Sequence, residues 1–308
     1  MTVQMAIKTG RYTHEKRMQD IVEFKMLKDK ENGVTSLEPD IQEEQMVQLI
    51  GVLTTSEKEL FGHGQDLEDI EKLHKDCFEK HQLKMEIFGS LGPISQEDYH
   101  EFFRTTGIDI DGRQRHLSML AHSMEDGIRK MVSFSKSIPG FMSIPLEDQV
   151  CLMKAGHCEF GILRVYKHLS VEYGVFVDVV GGEAVHLDDV AAIIHHEFLD
   201  LALKLSLVLK NLTLNVDDVA VLKGIILTFA DRCDLQDREK VEEMHWKLVC
   251  CLMYLAKENH SNDKLFIAKV CQILCSFREL SLMHNEYVTM LKLEWPRIQQ
   301  YPLLLEML

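Results

Sequence analysis

Apolar residues recur every three or four positions along most of this chain, and the breaks between such stretches mark out a succession of helices. From about Asp40 to Phe61, Ile41, Met46, Leu49, Ile50 and Leu53 approximate a 3.6-residue period, and Gly62 and Gly64 end it. Residues 66–88 are strongly charged, with Leu67, Ile70, Leu73 and Phe78 on one stripe. Leu91-Gly92-Pro93 interrupts the chain, and Ser95 opens a short helix. Gly112 to Pro139 reads as one long helix with a stripe of Leu117, Leu120, Met124, Ile128, Met131, Val132 and Ser135. Residues 145–169 predict another, with Pro145 in its first turn and Glu147 and Asp148 at its positive end. Its centre, Phe160-Gly161-Ile162-Leu163, is apolar on every side, the mark of a buried helix.

Val175 to Leu187 breaks this rule. The segment alternates, is β-branched and carries Gly181-Gly182 at its middle, which predicts a short β-hairpin. Helices resume over about 188–210, 216–230 (capped by Asn215 with Asp217 and Asp218), 237–258, 262–291 and 302–308.

Composition agrees. Leu, Met, Lys and Glu abound and aromatics are only 7%, so a helical protein is favoured over a sandwich or barrel. A chain of 308 residues, 46% hydrophobic, can bury a substantial core. No apolar run approaches the roughly 18–20 residues of a membrane span, and Met1 leads into polar sequence rather than a secretory signal. The net charge of −15 argues against bulk nucleic-acid binding. Within residues 1–30, however, seven basic side chains outnumber four acidic ones, so a basic head, with a helix expected from Thr13 to Lys28, precedes an acidic body. Residues 31–39, with Asn32-Gly33 and Pro39, read as a linker, which leaves 40–308 as the main domain. Eight cysteines include no C-x-x-C pair; a zinc ribbon is not encoded, no metal site is expected, and a reducing compartment without disulfides is. No G-x-S-x-G, P-loop, H-E-x-x-H or dinucleotide fingerprint points to an enzyme. His195-His196-Glu197 does not make a metal site, because adjacent helical side chains diverge by about 100°.

The C-terminus is the most informative segment. Pro302 suits a first helical turn, Leu304, Met307 and Leu308 share a face, Leu303 flanks it, and Glu306 lies off it. A helix this brief is marginal in water, where about 12–15 residues are needed, so it must dock on the body to form. Lys136 ends the long helix, and Lys154 lies early in the next. If these helix ends meet, Glu306 and Lys136 face each other across a groove lined by Val132, Ile144, Val150 and Met153. Such a groove grips the two poles of a short Leu-rich partner helix. The alternative is that these charges are merely solvated.

Two motifs carry a resemblance. Phe134-Ser135-Lys136-Ser137-Ile138-Pro139-Gly140-Phe141, followed by Leu146 to Gly156 (LEDQVCLMKAG), resembles the signature of nuclear receptor ligand-binding domains. Pro302 to Leu308 is similar to that family's activation helix, the hairpin also fits, and Phe229-Ala230-Asp231-Arg232 resembles its loop between the eighth and ninth helices. The resemblance spans about 35–308 and looks most like the thyroid-hormone-receptor-like branch, near Rev-erb, E75 and retinoic-acid-related orphan receptors, with vitamin D and DAF-12-like receptors as neighbours. It implies an all-α fold, a three-layer antiparallel helical sandwich of about 10–12 helices with one short hairpin. It also implies a nuclear transcription factor that recruits Leu-x-x-Leu-Leu coactivator or corepressor helices through a clamp of Lys136, Lys154 and Glu306.

The same resemblance implies an internal cavity for a small lipophilic ligand (sterol, retinoid or fatty-acid-like), or an orphan whose cavity is filled by side chains. Met119, Ala121, His122, Leu163, Arg164, Val177, Ile194 and Phe198 are the expected walls. Arg164 either meets a ligand carboxylate or hydroxyl or pairs internally. His284 resembles the haem-ligating histidine of Rev-erb and E75 receptors and, equally, a residue that braces the final helix. A haem-based redox or gas sensor is thus the alternative reading, with His116 or His122 as second ligand. The helix 262–291 resembles the dimerisation helix, so a retinoid X receptor-like partner or a homodimer is expected. Residues 5–17 resemble the basic extension that follows the family's zinc fingers; the finger cysteines do not precede it in this sequence, so only weak DNA contact is expected.

Overall fold

The computed structural model describes residues 41–62, 67–89, 94–191 and 193–307. The expected basic head, linker and Thr13–Lys28 helix, and Leu308, lie outside the described residues. The structural unit to which the cavity belongs runs from Gln42 to Leu308.

Its helices, in chain order, are α1 (Glu43–Phe61), α2 (Leu67–Phe88), α3 (Gln96–Thr106), α4 (Arg113–Ser135), α5 (Leu146–Val165), α6 (Leu187–Val190), α7 (His196–Asn211), α8 (Val216–Ile226), α9 (Arg238–Asn259), α10 (Phe266–Glu294) and α11 (Pro302–Met307). The strands are β1 (Leu169–Ser170), β2 (Val175–Val177) and β3 (Ala184–His186). The architecture is the all-α sandwich. Helix α5 packs against α4 on one side and α10 on the other, beside α8; α8 in turn packs on α1 and α9. The sequence dictates this centre, because Phe160, Ile162 and Leu163 of α5 are all buried. Nine of the eleven residues of α8 are buried as well, and neither α8 nor the C-terminal half of α5, from Gly156 to Leu163, has a face to offer water.

Three local expectations need correction. The expected helix 145–169 ends at Val165, and the chain passes through a tight turn, Tyr166–His168, into β1. The sheet therefore has three antiparallel strands in the order β1-β2-β3 rather than the two of a lone hairpin. The expected helix 188–210 is two, α6 and α7, broken between Ala191 and His195. Capping followed the residues: Ser95 Oγ accepts from the Asp98 amide at 3.1 Å, and Asn215 and Asp218 form a reciprocal capping box.

Burying α8 requires burying Lys223, which is fully covered. Its ammonium donates to both carboxylate oxygens of Glu57 on α1, at 2.6 and 2.9 Å, and lies 3.6 Å from the ring centre of Phe61. Burial pushes the Lys223 pKa down to about 8, against the opposing pull of Glu57. Removing one partner of such a pair leaves a bare buried charge. Lys223→Ala is expected to cost about 3–5 kcal/mol in urea unfolding, and the double replacement Glu57→Leu with Lys223→Met to recover most of it. A single variant as stable as the parent would show the pair to be dispensable.

Candidate functional site

Between α4 and α5 lies a cavity of about 220 Å3 with almost wholly apolar walls. Helix α4 contributes the stripe Leu117, Leu120, Ala121, Met124, Ile128 and Met131; α5 contributes His157, Phe160, Ile162 and Arg164. The sheet and α6 close one end with Phe176, Val185, Leu187 and Val190, and Ile194 and Phe198 lead into α7. His284 of α10 and Leu304 of α11 complete the lining.

Of the expected wall residues, Ala121, Arg164, Ile194, Phe198 and His284 line this cavity, and four do not. Val177 is buried but faces the other side of its strand; its neighbour Phe176 takes the cavity side, paired in register with Val185. Leu163 points to the opposite face of α5, against Leu209, Leu222 and Phe277. Met119 packs beside Val185, Val190 and Leu199, just off the wall. His122 is exposed, one residue round the helix from Ala121. Conversely, His157 was not anticipated. No periodic signal marks it, since this half of α5 is buried all round, and only its ionisable side chain beside that apolar stretch hinted at a role.

Arg164 is committed internally. Its Nη1 donates to the Ser123 carbonyl at 2.9 Å, and its Nη2 pairs with Asp126. Gly127 makes room for it: a Cβ there would stand 2.7 Å from Nη1. The guanidinium therefore bridges α4 and α5 and presents its flank to the cavity.

The polar groups without such commitments are the two imidazoles. His157 and His284 meet edge to face, ring centres 5.0 Å apart. His157 Nδ1 donates to the Lys154 carbonyl at 2.7 Å, which leaves Nε2 as a bare acceptor. Among the described residues neither His157 Nε2 nor His284 Nδ1 has a partner. Burial, and then the neighbouring His157, holds the His284 pKa down to about 3. Burial likewise lowers that of His157. Both rings are neutral at pH 7, which suits them to a hydroxyl and not to an anion.

Haem does not fit these residues. A second axial ligand must oppose His284, but His122 is exposed and His116 is not in the lining; its Nε2 lies 3.2 Å from Arg115 Nη2. The nearby His157 stands at the edge of His284, not across a macrocycle from it. The cavity is also below the roughly 300–1,000 Å3 usual for sites of drug-sized ligands.

Helix α11 packs on α4 and α5. Leu304 and Met307 are buried, Leu303 is half-buried and Glu306 is exposed. The approach to it is pinned by Tyr301, whose hydroxyl donates to the Ser118 carbonyl at 3.2 Å, and by Trp295, which donates to Gln114 Oε1 at 3.1 Å. Lys136, which ends α4, and Lys154 on α5 are exposed. Of the groove expected between them, Val132 and Val150 are half-open while Ile144 and Met153 lie beneath. Lys264, just before α10, and Lys269, Cys271 and Leu282 on it are exposed, whereas Phe277 and Leu280 turn inward.

The family model described as the ligand-binding domain of nuclear hormone receptor matches residues 113–294. Among curated relatives, nuclear hormone receptor E75 of Metapenaeus ensis is 26% identical over 183 residues, 58% of this chain and 30% of that protein. Vitamin D3 receptor A of Danio rerio is 30% identical over 202 residues, 64% of this chain and 44% of the relative. Nuclear receptor subfamily 1 group D member 2 of Rattus norvegicus is 27% identical over 164 residues, 53% of this chain and 28% of the relative. The chain thus spans less than half the length of these relatives. With the helical sandwich and the apolar cavity already described, the match over more than half its length means that this chain belongs to the nuclear hormone receptor ligand-binding domain family.

Proposed function

We propose that this chain is the regulatory body of a nuclear, transcription-controlling receptor, a binding protein and not an enzyme. A small lipophilic molecule enters the cavity between α4 and α5 and biases the docking of α11. The docked helix then completes a clamp of Lys136, Lys154 and Glu306 for Leu-x-x-Leu-Leu helices of coregulators. One observation carries the reading: a single two-turn helix has Leu304 in the cavity wall and Glu306 in solvent. Because α11 is too short to be stable alone, contact with Leu304 changes the docking equilibrium, and Glu306 transmits the change to the surface. A ligand shifts such an equilibrium only by its difference in affinity for the two states.

The lining argues for a slim apolar molecule with one hydroxyl donated to His157 Nε2 or His284. A carboxylate would find Arg164 already paired. No described helix is long and apolar enough to cross a membrane, and the proposed site of action is the nucleus. The exposed face of α10 is the proposed dimer surface, for a retinoid X receptor-like partner or a second copy. Any DNA contact by residues 1–30 is a weak supplement.

Glu306→Ala and Lys136→Ala are each expected to weaken binding of a Leu-x-x-Leu-Leu peptide by about 1–3 kcal/mol, the scale of a charge-assisted hydrogen bond, as read by fluorescence anisotropy. Unchanged affinity in both variants would refute the clamp. The neutral imidazoles make a separate prediction about pH. An unfolded histidine takes a proton near pH 6.5, whereas folded His284 resists protonation down to about 3. The unfolded state therefore binds more protons in that window, and stability falls as pH falls below 6.5, by about 1.4 kcal/mol per unit for this group. His284→Phe should flatten the decline in urea midpoints between pH 7 and 5.5. An undiminished slope would mean that His284 is not held neutral.

A further inference from the structure

On the side of β3 away from the cavity, two histidines and a carboxylate converge. His81 of α2 is nine-tenths buried and stacks on His186 of β3, ring centres 3.6 Å apart and nearly parallel. Asp188, two residues on, brings Oδ2 to 3.4 Å from His81 Nε2 and 3.5 Å from His186 Nδ1. Among the described residues this is the one place where three His, Cys, Asp or Glu ligand atoms lie within 4.8 Å of one another.

These separations are too long for good hydrogen bonds, which run about 2.7–3.2 Å. They match a different spacing. Ligand atoms held about 2.0–2.1 Å from a tetrahedral zinc ion stand roughly 3.3 Å apart. The surroundings fit as well. His81 Nδ1 has no hydrogen-bond partner among the described residues, yet Asp189 Oδ2 lies 3.9 Å from it. A metal-bound histidine usually donates its second ring nitrogen to such a carboxylate. His186 Nδ1 accepts one long bond, 3.3 Å, from the Asp188 amide, a weak contact that an ion in the gap would displace. Lys84 opposes a cation here, but its ammonium is tied to Asp189 Oδ1 at 2.8 Å.

We propose that His81, His186 and Asp188 form a site for a divalent transition-metal ion, zinc by the nitrogen-rich donor set, which clips α2 to the sheet. Loading tilts the stacked rings so that both lone pairs converge, draws Asp189 onto His81 Nδ1, and leaves the fourth position to water, since Asp188 is exposed. The clip stiffens a wall of the cavity, because Val185, Leu187 and Val190 lie on β3 and α6 beside these ligands. The site belongs to α2, β3 and the start of α6 and is independent of the proposed receptor mechanism.

The test uses the full chain, stripped with a chelator and titrated with zinc in competition with a chromogenic chelator, with cobalt as the spectroscopic substitute. One equivalent of zinc should bind and raise the unfolding midpoint, and cobalt should give intense tetrahedral absorption. Asp188→Asn, at an exposed position and checked for folding by circular dichroism, and His186→Gln should each weaken zinc at least about 10-fold. Asp189→Asn should weaken it by about 10- to 100-fold, as for lost outer-shell partners. His195→Gln with His196→Gln should change nothing. Absence of stoichiometric uptake, or uptake that survives both Asp188→Asn and His186→Gln, would overturn the proposal.

Discussion

The fold depends on a helix whose C-terminal half has no solvent face. Once that half of α5 is covered around its whole circumference, helices must lie on both sides of it, and the layered arrangement follows. The same burial determines the fate of the polar groups that α5 carries inward. Glu159 and Arg232 pair, and Asp148 accepts the amides of Gln236 and Asp237 at 3.0 and 2.9 Å. Arg164 finds Asp126 and the Ser123 carbonyl. Each of these tethers the central helix to a different neighbour, because a buried charge without a partner is among the most costly features a protein can contain. His157 alone in this set keeps an unanswered nitrogen, and it does so beside the cavity.

Much of this was legible in the sequence because it rests on helical periodicity. The α4 stripe from Leu117 to Met131 was read as one face, and that face is the cavity wall. The brevity of α11 was visible in the sequence too, whereas the clamp proposed for Lys136, Lys154 and Glu306 rests on a motif. Less was legible where orientation turns on a single residue. In a strand, one position decides the side, so Val177 was chosen where Phe176 belonged. On a helix buried all round, period carries no directional information, so Leu163 could not be told from Ile162. His122 shows the same limit on α4, one step from a true wall residue.

The breaks were hardest. Nothing local separates α6 from α7, because residues 188–210 keep a helical composition throughout. The break between α6 and α7 is imposed by packing: Val190 closes the cavity while Leu199 and Ala202 must reach it from α7. Similarly, Leu169 and Ser170 are too few to announce a strand. They become one because β2 leaves an edge to pair, Leu169 with Phe176 and Ser170 with Val175. The meeting of His81 with His186 is a third case. The two lie more than a hundred positions apart in the chain, and only the packing of α2 on the sheet brings them together.

Leu304 is the sole residue of α11 in the cavity lining. In the proposed mechanism, a molecule lodged deep between α4 and α5 without touching it would bind tightly yet leave the tail's equilibrium where it stood. Potency and efficacy would then separate at one leucine side chain: filling the chamber would set how much compound is held, and reaching that methyl group would set what the holding accomplishes.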